Sequence, residues 1–322
     1  VKMNEPALWR RLLAEGLGSA FLAAIVVGSG IAAAQLSPGN VGLELFENAA
    51  ATAVGLYAII LMFGGVSGAH FNPVVSFVDA AFGGLRWRDA VAYLPAQVAG
   101  CIGGAIAANV MFALPAVSWS TKHRASGPHF FSEIVATLGL LLVIFALART
   151  KRSHSTPAAV GAYIGAAYFF TSSTAFANPA IAIGRMFSNS FAGIQPASAP
   201  YYILAEVVGA IVAIWVIKTL YPDVTPAEAA DIVFPHHGAN DVDGLTQTSS
   251  PTSNGTQYSA PPRLGAPPCP PSSSRQMGGR GKGQLWPWQR PRTRALSSAS
   301  PQRTRILNFS MRQPHAARPR GL

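Results

Sequence analysis

Two long stretches of this chain carry no charged side chain: residues 48–78, 31 positions, and residues 156–184, 29 positions. A helix needs only about 20 apolar residues to cross the hydrocarbon core of a bilayer. Each stretch is longer than one crossing, so its surplus must stay at membrane depth. Within each surplus lies an Asn-Pro pair, Asn72-Pro73 and Asn178-Pro179. Composition agrees: 11% of the 322 residues are charged and 50% are apolar, whereas an ordinary soluble domain is about 25% charged.

The chain divides at residue 221. Residues 1–221 hold 12 Lys/Arg and 8 Asp/Glu; residues 222–322 hold 12 and 5, with 15 of the 25 prolines. The first part is too poor in charge for a soluble fold, and the second is too rich in Pro, Ser and Arg for a packed core. A soluble two-domain enzyme is therefore excluded. The net charge of +11 lies in the tail and in loops, not on a foldable basic face, which argues against nucleic-acid binding. Cys101 and Cys269 stand in such different settings that neither a disulfide framework nor a zinc site follows.

Six apolar segments are expected to span the membrane, at about 12–34, 48–66, 90–113, 130–148, 157–175 and 199–220. The first resembles a signal peptide but runs longer than a signal core of about 7–15 residues, so it reads as a retained helix. With the N-terminus inside, nine basic residues face the cytoplasm: Lys2, Arg10, Arg11, Arg86, Arg88, Arg149, Lys151, Arg152 and Lys218. Lys122, Arg124 and Arg185 fall on the other side. The positive-inside rule then places both termini in the cytoplasm of a multi-pass plasma (inner) membrane protein.

The chain also repeats weakly. Ala14-Glu15 and Ser132-Glu133 open the first and fourth spans. Phe71-Asn72-Pro73-Val74 and Ala177-Asn178-Pro179-Ala180 follow the second and fifth. Gln97 and Glu206 stand at matching places in the third and sixth. Three spans per copy is odd, so the second copy is inverted across the bilayer, an arrangement that places a pathway at the midplane. The expected fold is an all-α membrane protein of six transmembrane helices and two half-helices. Asn favours the N-cap and Pro the first helical position, so each pair starts a short helix at mid-membrane. Two N-termini meeting there concentrate positive potential that repels protons and cations. Ahead of each Asn the backbone is not helical, so the carbonyls of Gly68, Ala69 and His70, and of Ala175, Phe176 and Ala177, are expected to line a polar wall.

These residues resemble the paired Asn-Pro-Ala boxes of the major intrinsic protein family, the aquaporins and aquaglyceroporins, over about residues 11–220. Val74 departs from the usual Ala of the box, while Ala180 keeps it. The resemblance implies a passive channel for water, small polyols or other small uncharged solutes, with no cofactor, no metal and no covalent chemistry. It implies a homotetramer with one pore per subunit. Glu15, Glu133, Gln97 and Glu206 would brace the two loops. Four selectivity positions follow by counting from Asn72 and Asn178: Thr52, Ala166, Ala175 and Ile181. Ile181 stands where the family usually carries Arg, and Arg185 comes one turn later, either in the pore or at the interface. Such a filter is small and apolar, which points to solutes wider than water, including neutral metalloid hydroxides such as arsenous acid. The run ending in Phe176-Ala177-Asn178-Pro179, with its displaced Arg, is similar to a bacterial branch associated with arsenic-resistance genes.

Other readings make different demands. A water-selective channel wants a narrower filter. A coupled transporter needs a titratable pair facing the pathway, and a structural membrane protein would conduct nothing. His70 reads as a structural histidine, and His236-His237 as a weak metal motif. Residues 244–322 hold 12 Lys/Arg and no acid and are expected to be disordered. They read either as an extension without a selected fold or as a basic arm for anionic lipid. Cys269 is followed by Pro270-Pro271, which rules out the phosphate loop of an arsenate-reductase domain.

Overall fold

The computed structural model describes residues 6–222. The expectations for the C-terminal tail, including a short helix near Pro226–Ile232 and the His236-His237 pair, lie outside the described residues. Among the described residues there are eight α-helices and no strand. They are α1 (Leu8–Leu36), α2 (Val41–Ser67), α3 (Pro73–Phe82), α4 (Trp87–Met111), α5 (Gly127–Arg149), α6 (Thr156–Phe170), α7 (Pro179–Gly184) and α8 (Ala199–Leu220). The side of the bundle where α1 begins is called the near side, and the side where it ends the far side.

Local chemistry sets the ends of these helices. Asn40 caps α2 by accepting from the Leu43 amide, and Ser126 caps α5 by accepting from His129. The αL residues Gly68 (φ 86°) and Gly83 (φ 84°) close α2 and α3, a conformation that only glycine adopts without strain. Gly68 thereby turns the chain out of the second span and into the first loop.

The helices pair as two copies of one motif. In the first half α1 packs on α2 and α4; in the second, α5 packs on α6 and α8. The α2–α6 contact joins the halves. Lipid gives no hydrophobic drive for helix association, so close packing must supply it. A Cβ on Gly100 or Gly104 would strike the backbone carbonyls of Gly16 and Ala20, and one on Gly209 would lie 2.8 Å from the Ile134 carbonyl. Missing Cβ atoms thus let α4 reach α1 and α8 reach α5. The outward surface carries large apolar side chains such as Phe21, Val54, Leu61, Phe131, Ile211 and Trp215. At the near side Arg11 on α1 meets Asp89 on α4 at 2.7 Å, and Arg86 holds the same carboxylate at 2.9 Å.

Among the described residues, five helices are long and apolar enough to cross a membrane. The expected span 157–175 is corrected: α6 is a 15-residue helix that stops at Phe170. Thr171 ends it, because its hydroxyl donates to the Ala167 carbonyl at 2.7 Å and accepts from the Ala175 amide at 3.0 Å. Such local side-chain bonds compete with helix continuation. The 3₁₀ turn Ser153–Ser155 lengthens α6 at its start.

Candidate functional site: a channel between two loops

The two loops enter the bundle from opposite sides. The first, residues 68–72, leads into α3, which runs from the centre to the near side. The second, residues 171–178, leads into α7, which runs from the centre to the far side. Asn72 accepts from the Val74 amide at 3.1 Å, and Asn178 accepts from the Ala180 and Ile181 amides at 3.0 and 3.3 Å. Each Asn therefore caps its own half-helix, with Pro in the first turn.

The same two side chains lock the halves together. Asn72 Nδ2 donates to the Ala177 carbonyl at 2.7 Å, and Asn178 Nδ2 donates to the Phe71 carbonyl at 2.8 Å. An amide nitrogen carries two N–H groups, so one stays on each Asn for a solute and one is structural. Each amide is thus shared between the fold and the pathway. Likewise the Ala177 carbonyl already holds Asn72, which leaves Gly68, Ala69, His70, Ala175 and Phe176 as the candidate open acceptors.

Both loops adopt a costly backbone. Ala69, Phe71, Thr174, Ala175 and Ala177 have φ between 45° and 63°, a region worth roughly 1–3 kcal/mol of strain per residue for side chains other than glycine. Buried carboxylates offset it. Glu15 accepts four bonds: Ser67 Oγ at 2.6 Å, His70 N at 3.0 Å, Phe71 N at 2.7 Å and Gln97 Nε2 at 2.8 Å. Glu133 accepts from Phe176 N and Ala177 N at 3.0 and 2.7 Å, and Glu206 accepts from Asn178 N at 2.9 Å. All four side chains, Glu15, Gln97, Glu133 and Glu206, are fully buried. Phe71 has room beside α1 because Gly18 lacks a Cβ that its ring would overlap. The imidazole of His70 lies 3.0 Å from Ser76 Oγ and 3.4 Å from Asp79.

Between the loops and helices runs a cavity of about 60 Å³. One water needs at least 10–15 Å³ in this measure, so the space has room for a few waters. One wall is formed by His70, Asn72, Ala175, Phe176 and Asn178, and the other by aliphatic residues such as Leu22, Ile60, Ile144 and Ile164. A second, wider space of about 290 Å³ opens at the far mouth.

Comparison with known proteins agrees with this geometry. The family described as Major intrinsic protein matches residues 2–175, just over half of the chain. Aquaglyceroporin AqpS of Rhizobium meliloti is 45% identical over 224 residues, which cover 70% of this chain and 95% of that protein. The glycerol uptake facilitator protein of Pseudomonas aeruginosa is 31% identical, over 70% of this chain and 93% of its own length. Similarity to the probable aquaporin NIP7-1 of Arabidopsis thaliana, 32% identical, spans only half of that protein. The crystal structure of the aquaglyceroporin from Plasmodium falciparum superposes with a TM-score of 0.52 at 21% identity, over 69% of this chain and 99% of that one. The chain belongs to the major intrinsic protein family. Its members are membrane channels for small neutral solutes, not enzymes.

In this major intrinsic protein, Thr52, Ala175 and Ile181 line the channel. Ala166 does not, and its expected place in the filter is corrected: it is exposed and lies outside the lining. The lining residues of α6 are Thr156, Val160, Ile164 and Tyr168. They recur every four positions on one face, and at about 100° per residue position 166 points away from that face. Tyr168 lies on the lining face instead, with its hydroxyl 3.1 Å from Thr52 Oγ1. Counting back from Asn178 missed Tyr168; the four-residue recurrence from Val160 would have found it.

Arg185 sits inside the protein, not at a lipid interface. It is 2% exposed, lines both the channel and the far mouth, and donates through Nε to the Ala192 carbonyl. Its guanidinium lies 3.5 Å from the centroid of the Phe176 ring. Arg124, from the loop before α5, approaches the other residues of this mouth and is also buried. Nothing in the residue pattern marked Arg124 or Lys122 as part of the site. Both are brought there by the packing of two far-side loops, in which Gln195 N bonds Lys122 O and Ser118 N bonds Phe187 O.

Proposed function

We propose that this chain forms a passive channel for small uncharged polyhydroxy solutes: polyols such as glycerol, and neutral metalloid hydroxides of similar size. The observation that carries the reading is the composition of the narrow zone. Ile181 and Ala175 supply an apolar side, while Thr52 and Tyr168 supply paired hydroxyls. Such a zone matches a molecule with carbon, or a large central atom, on one side and hydroxyls on the other. Arg185 is drawn aside onto Phe176 and Ala192, which leaves the space at Ile181 to the solute. The similarity to an aquaglyceroporin and a glycerol uptake facilitator points the same way.

In this reading the far side is extracytoplasmic and both ends of the chain are cytoplasmic. The membrane is the plasma (inner) membrane, and the assembly is a homotetramer. Proton exclusion rests on two contributions at different depths. The N-termini of α3 and α7 face each other at the Asn pair, and the Arg185 charge stands nearer the far mouth. A water file crossing the centre must also turn its hydrogen bonds onto the free N–H of Asn72 and Asn178, which breaks a proton wire.

Stopped-flow light scattering on proteoliposomes tests the reading, with water, glycerol and arsenous acid gradients run side by side. Fast glycerol or arsenous acid flux, lost in Ile181→Arg while water flux persists, is the expected result. Fast water flux with neither larger solute moving would overturn it and make this a water-selective channel.

A further inference from the structure

Three cations converge on the far mouth, and a single short segment anchors them all. Lys122 Nζ donates to the Phe191 carbonyl at 2.7 Å. Arg124 donates to Gly193 O at 3.0 Å, to Phe191 O at 3.4 Å and to Ser173 O at 3.5 Å. Arg185 donates to Ala192 O. The carbonyls of residues 191–193 thus hold three positive side chains around one space of about 290 Å³. His123 and His129 complete its polar lining.

The opposing charges that reach this cluster, Glu133 for the two arginines and Glu44 for Lys122, act at a distance, and no carboxylate makes an ion pair with it. Ion pairs among the described residues are Arg11–Asp89, Arg86–Asp89 and His70–Asp79, and none lies at the far mouth. Glu44 and Glu47, at the start of α2, are turned to their own loop, where they accept from Gly39 N and Ser37 Oγ. Carbonyls and an aromatic face hold the guanidinia in place but cannot neutralise them. Arg185 commits one of its five N–H donors to Ala192, and, lying over the Phe176 ring, it borders both the channel and the wide mouth. Buried arginines with spare donors match the paired oxygens of a carboxylate, sulfate or phosphate.

We infer that the far mouth is a binding site for one small oxyanion, held by Arg185, Arg124 and Lys122, and that its occupant plugs the channel to neutral solutes. The plug follows from position, because an anion on Arg185 stands over the narrow zone at Ile181. Only this second half rests on the proposed channel function; the site itself stands on the cation cluster.

Two measurements on the full chain separate the two halves. Binding is read in detergent by isothermal titration with inorganic phosphate or sulfate, each against chloride at equal ionic strength. One oxyanion per chain, lost or weakened at least tenfold in Lys122→Gln, is expected. No heat with either ion would overturn the site, whatever the protein conducts. Occlusion is read as glycerol permeability of phosphatidylcholine vesicles. Sulfate on both faces is expected to lower it severalfold, and sulfate added outside only to block just the channels whose far mouth faces out. Lys122→Gln, compared with its own chloride baseline, should lose this sensitivity. Binding without any loss of glycerol permeability would overturn the plug. A loss that needs phosphatidylglycerol in the vesicle, with no further effect of free sulfate, assigns the oxyanion to a lipid headgroup instead.

Discussion

Replacing each buried glutamate by glutamine separates charge and hydrogen bonding at two places that the repeat makes equivalent. Glu15 accepts four hydrogen bonds, two on each oxygen. Glutamine keeps one acceptor and turns the other into a donor. If the new NH₂ faces Phe71 and Gln97, two buried donors lose their partner. If it faces Ser67 and His70, the Ser67 hydroxyl can rotate and accept, but the His70 N–H is orphaned. The second orientation is the better one, and it still leaves one buried N–H unpaired at about 1–3 kcal/mol. The surviving bonds also lose their charge assistance, roughly another 1 kcal/mol or more. Glu15→Gln is therefore expected to destabilise by about 2–5 kcal/mol. At roughly 2–4 °C per kcal/mol for a protein of this size, its melting temperature falls by about 4–20 °C. Glu206 differs. It accepts one bond, from Asn178, and its other oxygen has no hydrogen-bond partner among the described residues. Beside it, Glu133 accepts from the two preceding amides of the same loop, so two buried carboxylates crowd one short piece of backbone. Glutamine at 206 keeps the Asn178 bond and can point its NH₂ at Glu133. Its expected effect is within about 1 kcal/mol, in either direction. Thermal unfolding in detergent, followed by tryptophan fluorescence, and glycerol flux check both variants. Equal loss in the two would refute the bond-counting, and so would a Glu15→Gln protein that melts and conducts like the parent.

Three further outcomes follow. Tyr168→Trp should cut glycerol flux at least tenfold and Ala166→Trp should leave it within twofold, because only the first side chain lines the channel; stopped-flow scattering decides. Gly104→Ala should destabilise by about 1–3 kcal/mol, since the added Cβ meets the Ala20 carbonyl and overpacks the α1–α4 seam, whereas Gly103→Ala, with open space around it, should be neutral or stabilising by about 0.5–1 kcal/mol; melting temperatures compare them. At the far mouth, partial desolvation and then the neighbouring Arg124 and Arg185 bring the Lys122 ammonium down to about 8, against a smaller opposing pull from Glu44. Lys122 is charged below that pH and neutral above it, so sulfate inhibition should be strongest below pH 8 and fade as pH rises through it.

Much of the architecture is legible in the sequence because the bilayer allows so few solutions. Uncharged runs too long for one crossing, each holding an Asn-Pro pair, leave little choice but a loop and a half-helix. The repeat of Glu15 and Glu133 marked the braces for the same reason: an acid inside a span needs partners, and the loops have amides to offer. Ala166 failed for a different reason. Counting from Asn178 assumes that the chain between the span and the box keeps a fixed path. Thr171 instead stops α6 with its own hydroxyl, and the loop from 171 to 178 absorbs the difference. Arg124 and Lys122 were illegible because their place depends on two far-side loops meeting, and no periodicity records that.

The two halves share a backbone but not an electrostatic character. In the first half a neutral Gln97 assists Glu15, α3 runs for ten residues, and the charges near its end are paired with one another. In the second half Glu206 replaces that glutamine, α7 is six residues long before a 3₁₀ turn, and three cations stand unpaired beyond it. A shorter half-helix presents a weaker dipole at the centre. The far half therefore relies on full charges at its mouth for what the near half obtains from a longer helix. A cation approaching from the far side meets repulsion before it reaches the narrow zone, whereas one from the near side meets it only at the Asn pair. Removing Arg185 should thus raise cation leak by the same factor in both directions, because every crossing passes the same barriers in series. Proton leak of Arg185→Ala vesicles, compared with the parent at equal gradients, reads that increase, and a leak unchanged from the parent would refute the contribution of Arg185.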